Sequence, residues 1–96
     1  MTRKEEIKSM IRQVITNHLS GNYNAFLFGS QAGLPELKRA DIDVGINAER
    51  PLTNREETLI WVDLEDLPTL YKFDLVDFKK ADDSFKKVAL QNIEML

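Results

Sequence analysis

The chain has 96 residues, 43% of them hydrophobic and 30% charged, which sets it at one small hydrophobic core and argues against disorder or a fibrous architecture. Zero cysteines and a single histidine exclude disulfides, thiolate catalysis and zinc sites built on sulfur, so any metal must be held by oxygen. A net charge of -3 argues against direct nucleic-acid binding, and no apolar run approaches the roughly 20 residues of a membrane span, so the expectation is one cytoplasmic domain over residues 1–96.

Thr2 and Glu5 have the spacing of a helix capping box, and Ile7, Met10, Ile11, Val14 and Ile15 then recur at helical intervals, predicting an amphipathic helix over 3–19. Ser20-Gly21-Asn22 should close it, since glycine and asparagine take the left-handed conformation that ends helices. His18 continues the apolar stripe and reads as a packed or edge histidine, outside any site. Residues 25–28 are too short for a helix and rich in aromatics, which predicts a central strand buried on both faces and running into Gly29-Ser30. Residues 31–40 contain Gly33 and Pro35 and end in Lys38-Arg39, the composition of a turn with at most a short helix.

Residues 41–46 alternate, with Ile42, Val44 and Ile46 on one face and Asp41, Asp43 and Gly45 on the other, so a strand with one buried and one open side is expected. Thr53 and Glu56 repeat the capping-box spacing and start a helix through about Leu64; Trp61 on it serves equally well as core residue or interface anchor. After Pro68, residues 70–78 read as a third strand, Tyr71, Phe73 and Leu75 facing one way and Lys72, Asp74 and Val76 the other. Asp82-Asp83-Ser84 suits a helix amino terminus, and Phe85, Val88, Ala89, Ile93 and Leu96 predict an apolar stripe on a last helix reaching the end of the sequence. That apolar end either completes the core or docks another chain, which leaves a homo-oligomer open.

Side chains two apart on a strand point the same way, so Asp41 and Asp43 project together from the open face. Their repulsion in a partly desolvated site is relieved by protonation or by a cation between them. A hard divalent ion such as Mg2+, which combines carboxylate, water and phosphate oxygens, fits that requirement. Asp74 also stands opposite the apolar residues of its strand and is the third candidate ligand, whereas Asp77, three positions on, falls on the other face. Gly29 permits close backbone approach, and its N–H with that of Ser30 and the serine hydroxyl can cradle phosphate oxygens.

Phe28-Gly29-Ser30, then Asp41-Ile42-Asp43, then Phe73-Asp74-Leu75-Val76 together resemble the motifs of the DNA polymerase beta nucleotidyltransferase superfamily. The chain is more narrowly similar to its minimal nucleotidyltransferases. The resemblance implies an α+β polymerase beta-like fold, with a small mixed sheet of three to four strands and helices packed on one face. It further implies that Asp41, Asp43 and Asp74 are catalytic and bind two Mg2+ ions, with Asp74 acting as a general base or as a ligand orienting the incoming hydroxyl. Gly29 and Ser30 would hold the triphosphate of ATP or another nucleoside triphosphate. The family commonly has a basic residue after Gly-Ser-x-Ala, where this chain has Gly33-Leu34, and Lys38 and Arg39 are candidates to supply that charge. The implied partner is a separately encoded helical HEPN-type toxin, adenylylated by the chain acting as antitoxin. The alternative is a binding module that neutralises or scaffolds the same partner without transfer.

Overall fold

The computed structural model describes residues 3–28, 41–69 and 71–96. The elements run α1 (Arg3–His18), β1 (Tyr23–Phe28), β2 (Asp41–Ala48), α2 (Asn54–Glu65), β3 (Lys72–Asp77), α3 (Asp83–Ala89) and β4 (Ile93–Met95). The first capping box rests on Thr2 and lies outside the described residues, as does the turn expected over 31–40. Gly21 takes φ +83° just beyond α1, the left-handed geometry anticipated for the helix end. The second capping box is complete: the Thr53 hydroxyl accepts from the Glu56 amide at 3.1 Å, and the Glu56 carboxylate accepts from the Thr53 amide at 2.8 Å.

The four strands form one mixed sheet in the order β3-β2-β1-β4, with β1 antiparallel to both neighbours and β2 parallel to β3. A parallel pair cannot be joined by a tight turn, and α2 makes the crossover between β2 and β3. One face of the sheet carries Ile42, Val44, Ile46, Leu27 and Phe73, which pack against Ile7, Ile11, Val14 and Ile15 of α1 and Ile60 and Leu64 of α2. Each of these residues is at most 7% exposed, so this layer is the principal core. His18 shares a hydrogen bond with Asp63 of α2, tying the two helices at the edge of that core. Trp61 stays out of it, 47% exposed on the outer side of α2.

The opposite face is closed in part by a second, smaller cluster. Phe26, Phe28 and Phe78 pack with Ala89 of α3, and Phe26 and Phe78 meet edge-on with ring centroids 4.9 Å apart. A Cβ at Gly45 would sit 2.6 Å from Phe26 Cε2 and 2.7 Å from Phe78 Cε1, so the open side expected for 41–46 is filled by aromatic rings at this position. Of residues 25–28, the last three are buried, Leu27 beneath the helices and Phe26 and Phe28 beneath α3, whereas Ala25 is only half-buried.

The expected last helix is shorter than its stripe. It begins where anticipated, with the Asp82 carboxylate accepting from the Phe85 amide at 2.8 Å, but stops at Ala89, and Ile93–Met95 pairs with β1 as β4. Five apolar residues at helical intervals fit a short helix followed by a strand equally well. The exposed backbone edge of β1 decides between them, because pairing there satisfies its N–H and C=O groups.

Candidate functional site

The strand registers give one transverse row across the face opposite α1 and α2. Asp74 of β3 is directly opposite Asp43 of β2, Asp43 is opposite Phe28 of β1, and Phe28 is opposite Ile93 of β4. Residues paired in this way point to the same side of a sheet, and adjacent strands are only about 4.8 Å apart. Asp43 is half-buried and Asp74 exposed, while Phe73 beside it is buried under the helices, so both aspartates stand on the wet part of the sheet. One step nearer the strand ends, Asp41 is opposite Lys72. Asp41 belongs to β2 by its backbone; its side chain lies outside the described residues.

The row divides into a polar and an apolar half. Phe28 is 5% exposed and is walled by Phe78 and Phe85, with ring centroids at 5.2 and 5.8 Å in nearly perpendicular geometry. Asp43 therefore has a carboxylate on one flank and a hydrocarbon wall on the other. Water is withheld on the aromatic side, which strengthens the interaction of the carboxylates with any cation that joins them. Oxygen donors set side by side, with solvent on the remaining side, suit a hard divalent ion that keeps several waters. Among the described residues no three acidic or imidazole groups gather as a metal cluster, and the trio read from the sequence includes the undescribed Asp41 side chain. Gly29, Ser30, Lys38 and Arg39 also lie outside the described residues.

Asp77 has a different role, on the opposite side of β3. It is 7% exposed; its Oδ2 accepts from the Leu52 amide at 2.8 Å and its Oδ1 from the Lys79 amide at 2.9 Å. It ties the end of β3 to the connection entering α2, and both its oxygens are engaged by backbone. Nothing local in the sequence signals this contact, since Leu52 lies 25 positions away. The sequence likewise holds no sign that Phe28 flanks Asp43, which follows only from the β1–β2 register. A polar cleft of about 430 Å³ between Asn22, Tyr23, Asn47, Glu49 and Lys79 sits at the far end of β1 and β2 and holds no pair of carboxylates.

The fold has relatives among known proteins. The family described as Polymerase beta, Nucleotidyltransferase matches residues 9–96. The fold is similar to that of a chain from the complex of tri-AMPylated Shewanella oneidensis HEPN toxin with MNT antitoxin, at TM-score 0.75 and 19% identity over 96% of this chain and 70% of that one. Another crystal structure from Shewanella oneidensis gives TM-score 0.76 at 20% identity, covering 98% of this chain and 71% of that chain. A toxin–antitoxin structure with AMP-PNP gives 0.75 at 20%, covering 92% and 70%. At these identities the likeness is one of fold. No curated protein matches the chain.

Proposed function

Because the chain belongs to the polymerase beta nucleotidyltransferase family, we propose that it transfers a nucleoside monophosphate, AMP from ATP, to a hydroxyl of a separately encoded helical HEPN-type partner, and so acts as an antitoxin in the cytoplasm. The observation that carries this reading is the direct pairing of Asp43 with Asp74 on the wet face of the sheet. The partner follows from the solved complexes of MNT antitoxin with HEPN toxin that share the fold, and the exposed Trp61, Val62 and Val88 leave apolar surface for such a contact.

In this reading Asp41, Asp43 and Asp74 would hold two Mg2+ ions, which would supply charge neutralisation at the reacting phosphate. Gly29 and Ser30 cradle the triphosphate, with Lys38 and Arg39 as candidate cations. Asp74, at the solvent side of the row, receives the proton of the incoming hydroxyl or orients it. The hydroxyl oxygen forms a bond to the α-phosphorus, the bond between the α- and β-phosphates breaks, and pyrophosphate leaves. The aromatic wall of Phe28, Phe78 and Phe85 keeps water from the opposite flank of Asp43.

A second reading is a module that neutralises the same partner without transfer; the uncharged Gly33-Leu34 after Ala32 favours it. Incubating the protein with Mg2+, ATP labelled at the α-phosphate and the HEPN protein encoded beside it separates the two. Label on the partner, lost in Asp43→Asn and Asp74→Asn, is expected for the enzyme. Neutralisation without label, unchanged in both variants, would establish the module.

A further inference from the structure

We propose that the outer edge of β3 binds an extended segment of the acceptor protein as an added strand, which sets a hydroxyl-bearing residue beside Asp74 and an apolar neighbour in the groove at Trp61. The inference rests on the reading that the chain modifies a protein hydroxyl, and adds how that hydroxyl is delivered.

β3 is the last strand of the sheet on its side. The Phe78 amide donates to the Ile46 carbonyl at 2.8 Å, and in a parallel ladder the residues two and four positions back, Val76 and Asp74, turn their N–H and C=O the same way, toward β2. Phe73 and Leu75 have the other parity, so their backbone groups point out of the sheet. Among the described residues no hydrogen bond meets the Leu75 amide or carbonyl at that edge. A donor and an acceptor left side by side there form a template for one more strand.

Parity also fixes what an added strand would display. Residues paired across strands share a face, so the one opposite Asp74 stands on the wet face, its backbone about 4.8 Å from β3. The residue opposite Leu75 turns to the helical face. A groove of about 350 Å³ opens there, lined by Glu57, Thr58, Trp61 and Leu75. Trp61 is 47% exposed and Leu75 only half-buried, so a large apolar side chain entering the groove covers both. The recognised pattern is therefore a hydroxyl residue directly next to an apolar one, held extended by backbone bonds. A second copy of β3, Lys-Phe-Asp-Leu-Val-Asp, contains no hydroxyl and would occupy the edge without offering an acceptor.

Amide hydrogen exchange, followed by NMR on the isotope-labelled chain alone and with the HEPN protein encoded beside it, tests this together with label transfer from ATP in Mg2+. The Leu75 amide should exchange as an open amide in the chain alone and slow by about tenfold or more in the complex, whereas those of Asp74 and Val76, bonded to β2, should be slow in both. Thr58→Arg, which fills the groove from an exposed position on α2, should lower transfer about tenfold without moving the melting temperature. An unprotected Leu75 amide in a complex that accepts label, or full transfer by Thr58→Arg, overturns the strand docking. Protection of Leu75 in the chain alone that rises with its concentration puts a second copy on the edge and overturns the acceptor segment as its occupant. Wild-type protein that transfers no label overturns the transfer reading itself and this inference with it.

Discussion

Asp74 and Asp77 sit on one short strand, three positions apart, and the sheet assigns them to different surroundings. Asp74 is exposed on the wet face opposite Asp43, whereas Asp77 is buried on the helical face with each oxygen accepting from a backbone amide. A carboxylate satisfied by two amides secures a chain connection and is not free to serve a ligand. One left beside a second carboxylate is electrostatically uncomfortable and invites a cation. The chemical group is the same in both places, and strand parity and burial separate the roles.

The sharpest way to break this contrast is through activity. Asp43→Asn and Asp74→Asn should each reduce label transfer to the partner by about 10²-fold or more, and Asp74→Asn, at an exposed position, should leave the melting temperature nearly unchanged. Transfer at the wild-type rate by either variant would remove that aspartate from the site. Asp77→Ala should do the reverse, lowering stability by about 2–4 kcal/mol in a urea melt, because two backbone amides lose their acceptor. A melt superimposable on wild type would show that the tether carries no stability.

Gly45 tests the boundary between the open and closed halves of the face. Gly45→Ala should cost about 1–3 kcal/mol, since its methyl would meet two aromatic rings within 3 Å that are themselves packed with Phe28 and Ala89. A neutral or stabilising effect by chemical denaturation would mean that the Phe26 and Phe78 rings yield readily.

The smallest effect concerns acid. The Arg50 guanidinium, hydrogen-bonded to Glu56 at 2.8 Å through each of two nitrogens, together with the Thr53 amide, holds the Glu56 carboxyl down to about 2. A depressed carboxyl stabilises the fold fully above the ordinary carboxylate range, near 4.5, and the contribution is lost as pH falls toward 2. Glu56→Gln should therefore lower the melting temperature by a few degrees at about pH 7 and by progressively less on acidification. A difference from wild type that stays constant from neutral pH to about pH 2 would contradict a charge-based role for this cap.

Much of the architecture is local enough to be read from residue order. The stripe of Ile7, Ile11, Val14 and Ile15, the Thr53–Glu56 capping box and the alternation about Ile42, Val44 and Ile46 each express a periodicity within a few residues, and the elements formed where those patterns lie. The parity that puts Asp74 and Asp77 on opposite faces of β3 is legible for the same reason. The sequence was also enough to indicate the family, through three short motifs in strand contexts.

Tertiary structure alone decided which residues meet. The pairing of Asp43 with Asp74 depends on the parallel register that α2 permits between β2 and β3, and the Phe28 wall depends on the antiparallel register of β1. The Asp77–Leu52 bond and the close packing at Gly45 join positions many residues apart, and Ile93–Met95 became a strand because β1 offered an edge. Periodicity constrains which face a side chain takes, since it acts through neighbouring dihedral angles. Register and edge pairing are settled by the packing of the whole sheet, to which each strand contributes only part of the free energy.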